Sequence, residues 1–353
     1  MAPQRPDAER GAHMDAITAF GLTKQYAGRT VLQGLNLQVQ QGSAMACAGW
    51  ENSGKTTLIR LLSGLCRPTA GECAVLGMSP AFETAKLHAR LGVVLDKAPL
   101  YSGMTLGENL RFFAGIHNMD GNDSLERSSF LLHRLGIWEY RDEKAGALPT
   151  GVARRASLAR ALMHSPQVLL MDEAARGLDA ETAEIVQDLL AYLVREEGIA
   201  LLLGTRNMQY AQRVCDSFSL MQAGVLIARG SLESLRQGAG VRFRAALRLG
   251  EGEGTLPGFH LEDGLWQKEI DSENEMPAII AQAVGQGKSL YEAKLIRPTL
   301  DEIYRACLAG GRRREMAYEQ GTQRQEDKAA GEETPADGAE SGTEQPGEPR
   351  GEE

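Results

Sequence analysis

The stretch Gly49-Trp50-Glu51-Asn52-Ser53-Gly54-Lys55-Thr56-Thr57 holds the residue types and spacing best suited to chemistry. Its glycines, its lysine and its hydroxyl residues lie between the apolar run "AMACA" and a helical pattern, the context a phosphate-holding loop requires. Glycine lets the chain wrap tightly, so successive backbone N–H groups converge on one anion, and the helix that follows adds the positive end of its dipole. In such a loop Lys55 bridges the β- and γ-phosphates and the Thr56 hydroxyl ligates Mg²⁺. Asn52 and Glu51 are unusual fillers. Asn tolerates left-handed backbone angles, whereas the Glu51 carboxylate must point outward or repel a triphosphate. Trp50 either braces the loop or lies over the nucleotide.

A second centre lies at "VLLMDE", an apolar run ending in Asp172-Glu173. Alone, this is a strand running into a turn. Beside a phosphate loop, the first acid reaches Mg²⁺, usually through water, and the second orients or deprotonates an attacking water. The expected ligands are therefore ATP and Mg²⁺.

These residues need a frame that brings strand ends together. Short β-rich runs ("AITAF", "AMACAG", "RLGVVL", "QVLLMD", "IALLLGT") alternate with helical stretches ("KTTLIRLLSGL", "GVARRASLARALMH", "AETAEIVQDLLAYLVREE"). In the last helix Ile185, Leu189 and Leu193 form an apolar stripe. The pattern predicts an α/β fold whose largely parallel sheet is covered on both faces. Residues 1–13 are unpatterned, with Met14 an alternative start, and 14–236 form the nucleotide-binding domain. A break at Arg236–Gly240 precedes a small accessory α+β domain, 237–310, with a strand in "VRFRAALRLG" and helices in "EMPAIIAQAVGQG" and "LDEIYRACLAG". Residues 311–353 read as a disordered acidic tail.

Composition excludes several classes. The net charge is −9 and no concentrated basic face is evident, which argues against nucleic acid as a partner. The 5 cysteines show no metal-ligand spacing and read as reduced thiols. The first residues lack the apolar core of a secretory signal, and no run reaches the roughly 18 apolar residues of a membrane span. Any membrane component must be another chain.

From about Ile17 to Leu235 the order of motifs resembles the ATPase subunit of ATP-binding cassette (ABC) transporters. The resemblance implies a P-loop fold with a mainly parallel core, an antiparallel β-subdomain and a helical subdomain. It places Tyr26, in "LTKQYAGRTVL", where the family stacks adenine. "APLYSGMTLGENLRFF" resembles the segment that touches the membrane subunit, and "ALPTGVARRASLARALMHSPQVLLMDEAARGLD" runs from the signature to the D-loop at Asp179. "RPTLDEIYRACLAG" is similar to the end of an exporter-type subfamily.

The departures from the family pattern carry chemical consequences. The switch glutamine that senses Mg²⁺ falls at Asp96, which keeps an oxygen for the metal on a shorter arm. The signature reads Leu148-Pro149-Thr150-Gly151. Pro149 there removes a hydroxyl and a backbone N–H aimed at the ATP of the opposing subunit. The histidine that contacts the γ-phosphate is replaced by Arg206, which donates to phosphate but cannot accept a proton as a neutral imidazole does. Losing one such donor typically costs about 10² to 10³ in rate.

The resemblance implies a membrane permease partner, a second ABC ATPase subunit (the same chain or another) and a position on the inner face of the cell membrane. Two other functions stay open. One is a regulatory subunit that binds ATP with little hydrolysis; the other is a non-transport ABC protein. Steady-state turnover separates the first from a transporter ATPase. The single cassette and acidic tail disfavour the second.

Overall fold

Apolar strands that do not alternate in polarity must be covered on both faces, and the central sheet is built from such strands. The computed structural model describes residues 15–95, 100–173, 176–250 and 256–310. In chain order the strands are β1 (Asp15–Tyr26), β2 (Arg29–Gln40), β3 (Ala44–Ala48), β4 (Ala70–Val75), β5 (Leu91–Val94), β6 (Val168–Asp172) and β7 (Ala200–Thr205). They continue with β8 (Ser217–Gln222), β9 (Val225–Gly230), β10 (Phe243–Leu249), β11 (His260–Glu262), β12 (Leu265–Ile270) and β13 (Leu290–Ile296).

The six-stranded sheet has the order β5-β6-β7-β3-β8-β9. Its first five members pair in parallel and only β9 is antiparallel. On one face Met45, Cys47, Leu170 and Leu202 pack against helix Lys55–Leu62 and the antiparallel sheet β2-β1-β4. On the other, Ala46, Leu169, Met171 and Leu201 pack against helices Leu106–Ile116, Gly121–Arg134, Thr150–Leu162 and Ala180–Arg195. Adjacent residues of one strand thus serve opposite cores, which is why these strands show no alternation. The expected α/β class, antiparallel subdomain and helical subdomain are all present.

Two local readings change. In helix Ala180–Arg195 the buried stripe includes Val186 and Leu190 beside Leu189 and Leu193, while Ile185 is only half-buried. The core it meets is wider than one row of side chains. The segment Arg236–Gly240 is helical rather than irregular, because helix Leu232–Ala239 runs through Gly238 and ends at Gly240, whose φ of 67° makes a left-handed cap.

Beyond it, the antiparallel sheet β11-β12-β10-β13 and helix Met276–Gly285 enclose a separate apolar cluster containing Phe243, Leu247, Ile270 and Ile279. A helix beginning at Leu300 then returns to the main core, where Leu300, Ile303 and Tyr304 are fully buried. The chain through Leu308 forms one compact unit. Residues 1–13, the acidic tail 311–353 and Asp96 lie outside the described residues. Among the described residues no helix is long and apolar enough to cross a membrane.

Candidate functional site

The parallel strands end on one edge of the sheet, and the polar residues converge there. β3 delivers the chain into the loop at Gly49, whose N–H donates to the Thr205 carbonyl of the neighbouring β7 at 3.2 Å. A side chain at 49 would collide with the Met221 carbonyl oxygen, 2.3 Å from an added Cβ. Asn52 takes the left-handed angle its type allows, with φ 60°. Gly54, at φ 101°, turns the chain into helix Lys55–Leu62. The expected loop is formed, and its glycines are set by close backbone contacts.

Lys55 is almost fully buried, and its Nζ donates to the carbonyls of Gly49 and Trp50, both at 2.8 Å, and to Ser53 Oγ at 3.0 Å. Burial pulls its pKa below the usual lysine value, while the carboxylates of Glu173 and Asp172 oppose that shift. Asp172 ends β6 at 4% exposure, in register with Gly204 of β7. Gly204 has a steric role, since a Cβ there would meet Ile59 Cδ1 at 2.8 Å and lie 3.5 Å from both Asp172 Oδ1 and Lys55 Cβ. The missing side chain lets β7 lie close against helix Lys55–Leu62 and the Asp172 carboxylate.

Glu173 turns out of the strand with φ 52°, a strained angle for a non-glycine residue. Its N–H donates to the Gly204 carbonyl at 2.8 Å. Its Oε2 accepts long hydrogen bonds of 3.4 Å from Thr205 Oγ1 and from the Arg206 N–H. Arg206, immediately after β7, reaches across and forms an ion pair with Glu51. The Glu51 carboxylate, which lines the same cavity, is therefore paired with a guanidinium.

One cavity of about 710 Å³ gathers Trp50 to Thr57, Asp172, Glu173 and Arg206. Arg29, Thr30, Val31, Arg176, Gln222 and Tyr304 complete much of its wall; the sequence reading did not single them out. Arg29 follows the β1–β2 turn closely enough in sequence to be found there. Tyr304 enters from more than 240 positions away, and no motif signals it. The lining holds four cations (Arg29, Lys55, Arg176, Arg206) against three carboxylates (Glu51, Asp172, Glu173), a balance that favours a polyanion.

Tyr26, Pro149, Thr150, Gly151 and Asp179 stand apart from that wall. Tyr26 is not among the lining residues. Its hydroxyl donates to Cys66 Sγ at 3.6 Å and its ring lies 4.8 Å from Lys24 Nζ. Pro149 caps helix Thr150–Leu162 without a side-chain hydrogen bond, and Thr150 is exposed beside Gly151 at that helix start. Asp179 caps helix Ala180–Arg195 by accepting from the Thr182 N–H at 2.8 Å and from its hydroxyl at 3.1 Å. Those bonds hold its carboxyl below the usual aspartate value.

The donor set suits Mg²⁺. Among the described residues no group of three His, Cys, Asp or Glu side chains forms a cage. Mg²⁺ is commonly held by one or two hard protein oxygens together with phosphate and water, and the Thr56 hydroxyl and the buried Asp172 carboxylate line one cavity.

A family model described as "ABC transporter" matches residues 32–176. The daunorubicin resistance ATP-binding protein DrrA3 of Streptomyces coeruleorubidus is 30% identical over 299 residues, covering 82% of this chain and 94% of its own. The chain belongs to the ATP-binding proteins of ABC transporters. The methionine import ATP-binding protein MetN of Caulobacter vibrioides is 36% identical over 225 residues, 62% of this chain and 68% of that one. In fold, this ATP-binding protein is similar to a solved "ATP binding subunit of ABC transporter", with TM-score 0.61 and 23% identity over 64% of this chain and 94% of the other. It is also similar to the ATP-binding cassette MJ0796 in a dimeric post-hydrolysis state bound to ADP and Pi, with TM-score 0.58 and 23% identity over 61% and 98%. The protein is an ATP-binding subunit of an ABC transporter, an ATPase that uses ATP with Mg²⁺. Subunits of this family dimerise and work with membrane permeases.

Proposed function

We propose that this ATP-binding protein drives an exporter-type permease from the inner face of the cell membrane, and that its own two sites turn over slowly unless it pairs with a second, different ATPase. The observation that carries this reading is the convergence of Lys55, Asp172 and Glu173 on one cavity, where Arg206, at the position of the family's γ-phosphate histidine, is tied to Glu51.

In this reading the loop amides and Lys55 hold the β- and γ-phosphates, and Thr56 and Asp172 hold the metal, with Asp96 as a further oxygen. Thr57, which also lines the cavity, belongs to the same ATP-binding stretch. Bound Mg²⁺ neutralises charge developing on the transferred phosphoryl oxygens. Glu173 positions the attacking water and accepts its proton. Arg206 stabilises the γ-phosphate only after giving up Glu51, so its contribution is reduced by whatever that pair is worth. Pro149, Thr150, Gly151 and Asp179 face the ATP of the opposing subunit, where Pro149 supplies no N–H. Tyr26, whose ring also lies near Lys24 Nζ, contributes a face on which adenine stacks.

Export is favoured over import because the alignment with the drug-resistance relative extends through the C-terminal segment, while the alignment with the methionine importer is shorter. Residues 237–310 are the accessory segment in which exporter-type members would differ.

The test is steady-state ATPase activity of the purified chain. Turnover near 0.1 s⁻¹ or below is expected, roughly a hundredfold under a typical enzyme. Turnover of about 10 s⁻¹ that vanishes in Glu173→Gln would overturn the slow-site reading.

A further inference from the structure

We propose that Tyr304 is a positioning residue for the phosphate loop, and that through it the C-terminal segment sets nucleotide affinity. The inference rests on the nucleotide-binding reading of the loop and goes beyond it, because it gives the segment after Gly240 a role in the ATP site.

Tyr304 has no solvent exposure, yet its hydroxyl is fully engaged. It lies 3.0 Å from the Met221 carbonyl and 3.3 Å from Gln222 Oε1, and the Trp50 N–H points at it from 3.5 Å. A phenol has one proton to give and two lone pairs to offer. It can thus donate to the end of β8 while accepting from the loop. Its ring meets the Trp50 indole edge-on, with centroids 5.4 Å apart and planes at 63°.

Met221 and Gln222 are part of the backbone support of the loop. The Met221 carbonyl is the atom that prevents any side chain at Gly49, and the Gly224 N–H donates to the Ser53 carbonyl at 3.1 Å. Tyr304 therefore fastens the outer wall of the loop to the loop itself, at the residue whose carbonyl accepts from Lys55.

The helix that carries Tyr304 is clipped at its start to two other places. The Leu300 N–H donates to Gln212 Oε1 at 3.1 Å, on helix Met208–Val214, which begins two positions after Arg206. Glu302, two residues before Tyr304, pairs with Arg244 of β10 at 2.7 Å. A shift of the β10–β13 sheet is thus delivered along one turn of helix to Trp50. By linkage, nucleotide on the loop must in turn steady that helix.

The experiment measures MgADP affinity by calorimetry for the full chain, Tyr304→Phe and Lys55→Ala, with tryptophan emission recorded on each. Tyr304→Phe keeps the ring and removes only the hydroxyl. The proposal expects its Kd to rise about 3- to 10-fold, the fold-change of one or two neutral hydrogen bonds. It also expects a shift in the nucleotide-dependent emission that is lost in Trp50→Phe, and a melting temperature without nucleotide close to that of the parent. If Tyr304→Phe does not fold, hydrogen exchange on the unaltered chain decides, with MgADP expected to slow the amides of residues 300–308. An unchanged Kd and emission in Tyr304→Phe, or unchanged exchange in that helix, overturns the proposal while nucleotide binding by the parent stands. Failure of the parent itself to bind MgADP would instead refute the nucleotide-binding reading.

Discussion

Arg206 and Glu51, far apart in sequence, form an ion pair at the mouth of the phosphate cavity. Each is a departure from the family pattern, and each offsets the other. A carboxylate beside a triphosphate is tolerable when a guanidinium covers it. That guanidinium is then committed before the nucleotide arrives. The Arg206 and Glu51 side chains remain 40% and 74% exposed, so solvent screening limits the pair to about 1 kcal/mol at most.

Glu51→Gln should therefore tighten MgATP binding by about 3- to 10-fold at low salt, with the gain shrinking as salt is raised. Arg206→Ala should weaken binding less in the parent than in the Glu51→Gln background, where the guanidinium is free for phosphate. Calorimetry of the four proteins at two salt concentrations checks this, and equal effects of Arg206→Ala in both backgrounds would show that the pair is idle.

Gly204 lies against Ile59, Asp172 and the root of the Lys55 side chain. Gly204→Ala forces a Cβ to within 2.8 Å of Ile59 Cδ1 and into contact with Asp172 Oδ1 and Lys55 Cβ. Overpacking of this kind costs about 1–3 kcal/mol in a urea titration. Hydrolysis should fall further than stability alone explains, by at least about tenfold, because transition-state charge is stabilised by position. A variant as active as the parent would show that this spacing is not used.

Glu173→Gln should leave the MgATP dissociation constant within about threefold of the parent while lowering the remaining turnover by about a hundredfold or more. A large loss of affinity would instead assign Glu173 to binding.

His164 supplies the pH prediction. Burial, followed by the neighbouring His117 stacked on it at 3.8 Å between centroids, pushes its pKa down to about 4. The unfolded chain then binds more protons than the folded one between the free-histidine value near 6.5 and about 4. Stability is complete above that window and declines as pH falls through it. His164→Gln should flatten the decline in urea midpoints between pH 6.5 and 4.5, and an unaltered slope would place the acid sensitivity elsewhere.

Much of this was legible in the sequence because it is local. Unalternating strands, the Gly49–Thr56 spacing, the acids closing β6 and the tolerance of Asn52 for positive φ all depend on near neighbours. What escaped was long-range. Nothing near Glu51 announces its partner at 206, and nothing in "LDEIYRACLAG" tells that its tyrosine fastens Trp50. Trp50 meets Tyr304 edge-on and also lines the cavity, so each of the two roles its position suggested has a structural counterpart. Tyr26 shows the same limit. Its place in the motif order points to adenine, and its hydroxyl meets Cys66, in the bend after helix Lys55–Leu62, a contact that nothing near Tyr26 in sequence announces.

The central claim is that the loop ending in Lys55, with Asp172 and Glu173 opposite, holds the triphosphate and its metal. The most direct measurement is calorimetric titration of the full chain with ATP, with and without Mg²⁺, beside Lys55→Ala and Asp172→Asn. The account predicts clear binding to the parent, at least about a hundredfold loss in Lys55→Ala, and loss of the Mg²⁺ enhancement alone in Asp172→Asn. Undiminished binding in Lys55→Ala, or no heat with the parent, would contradict it.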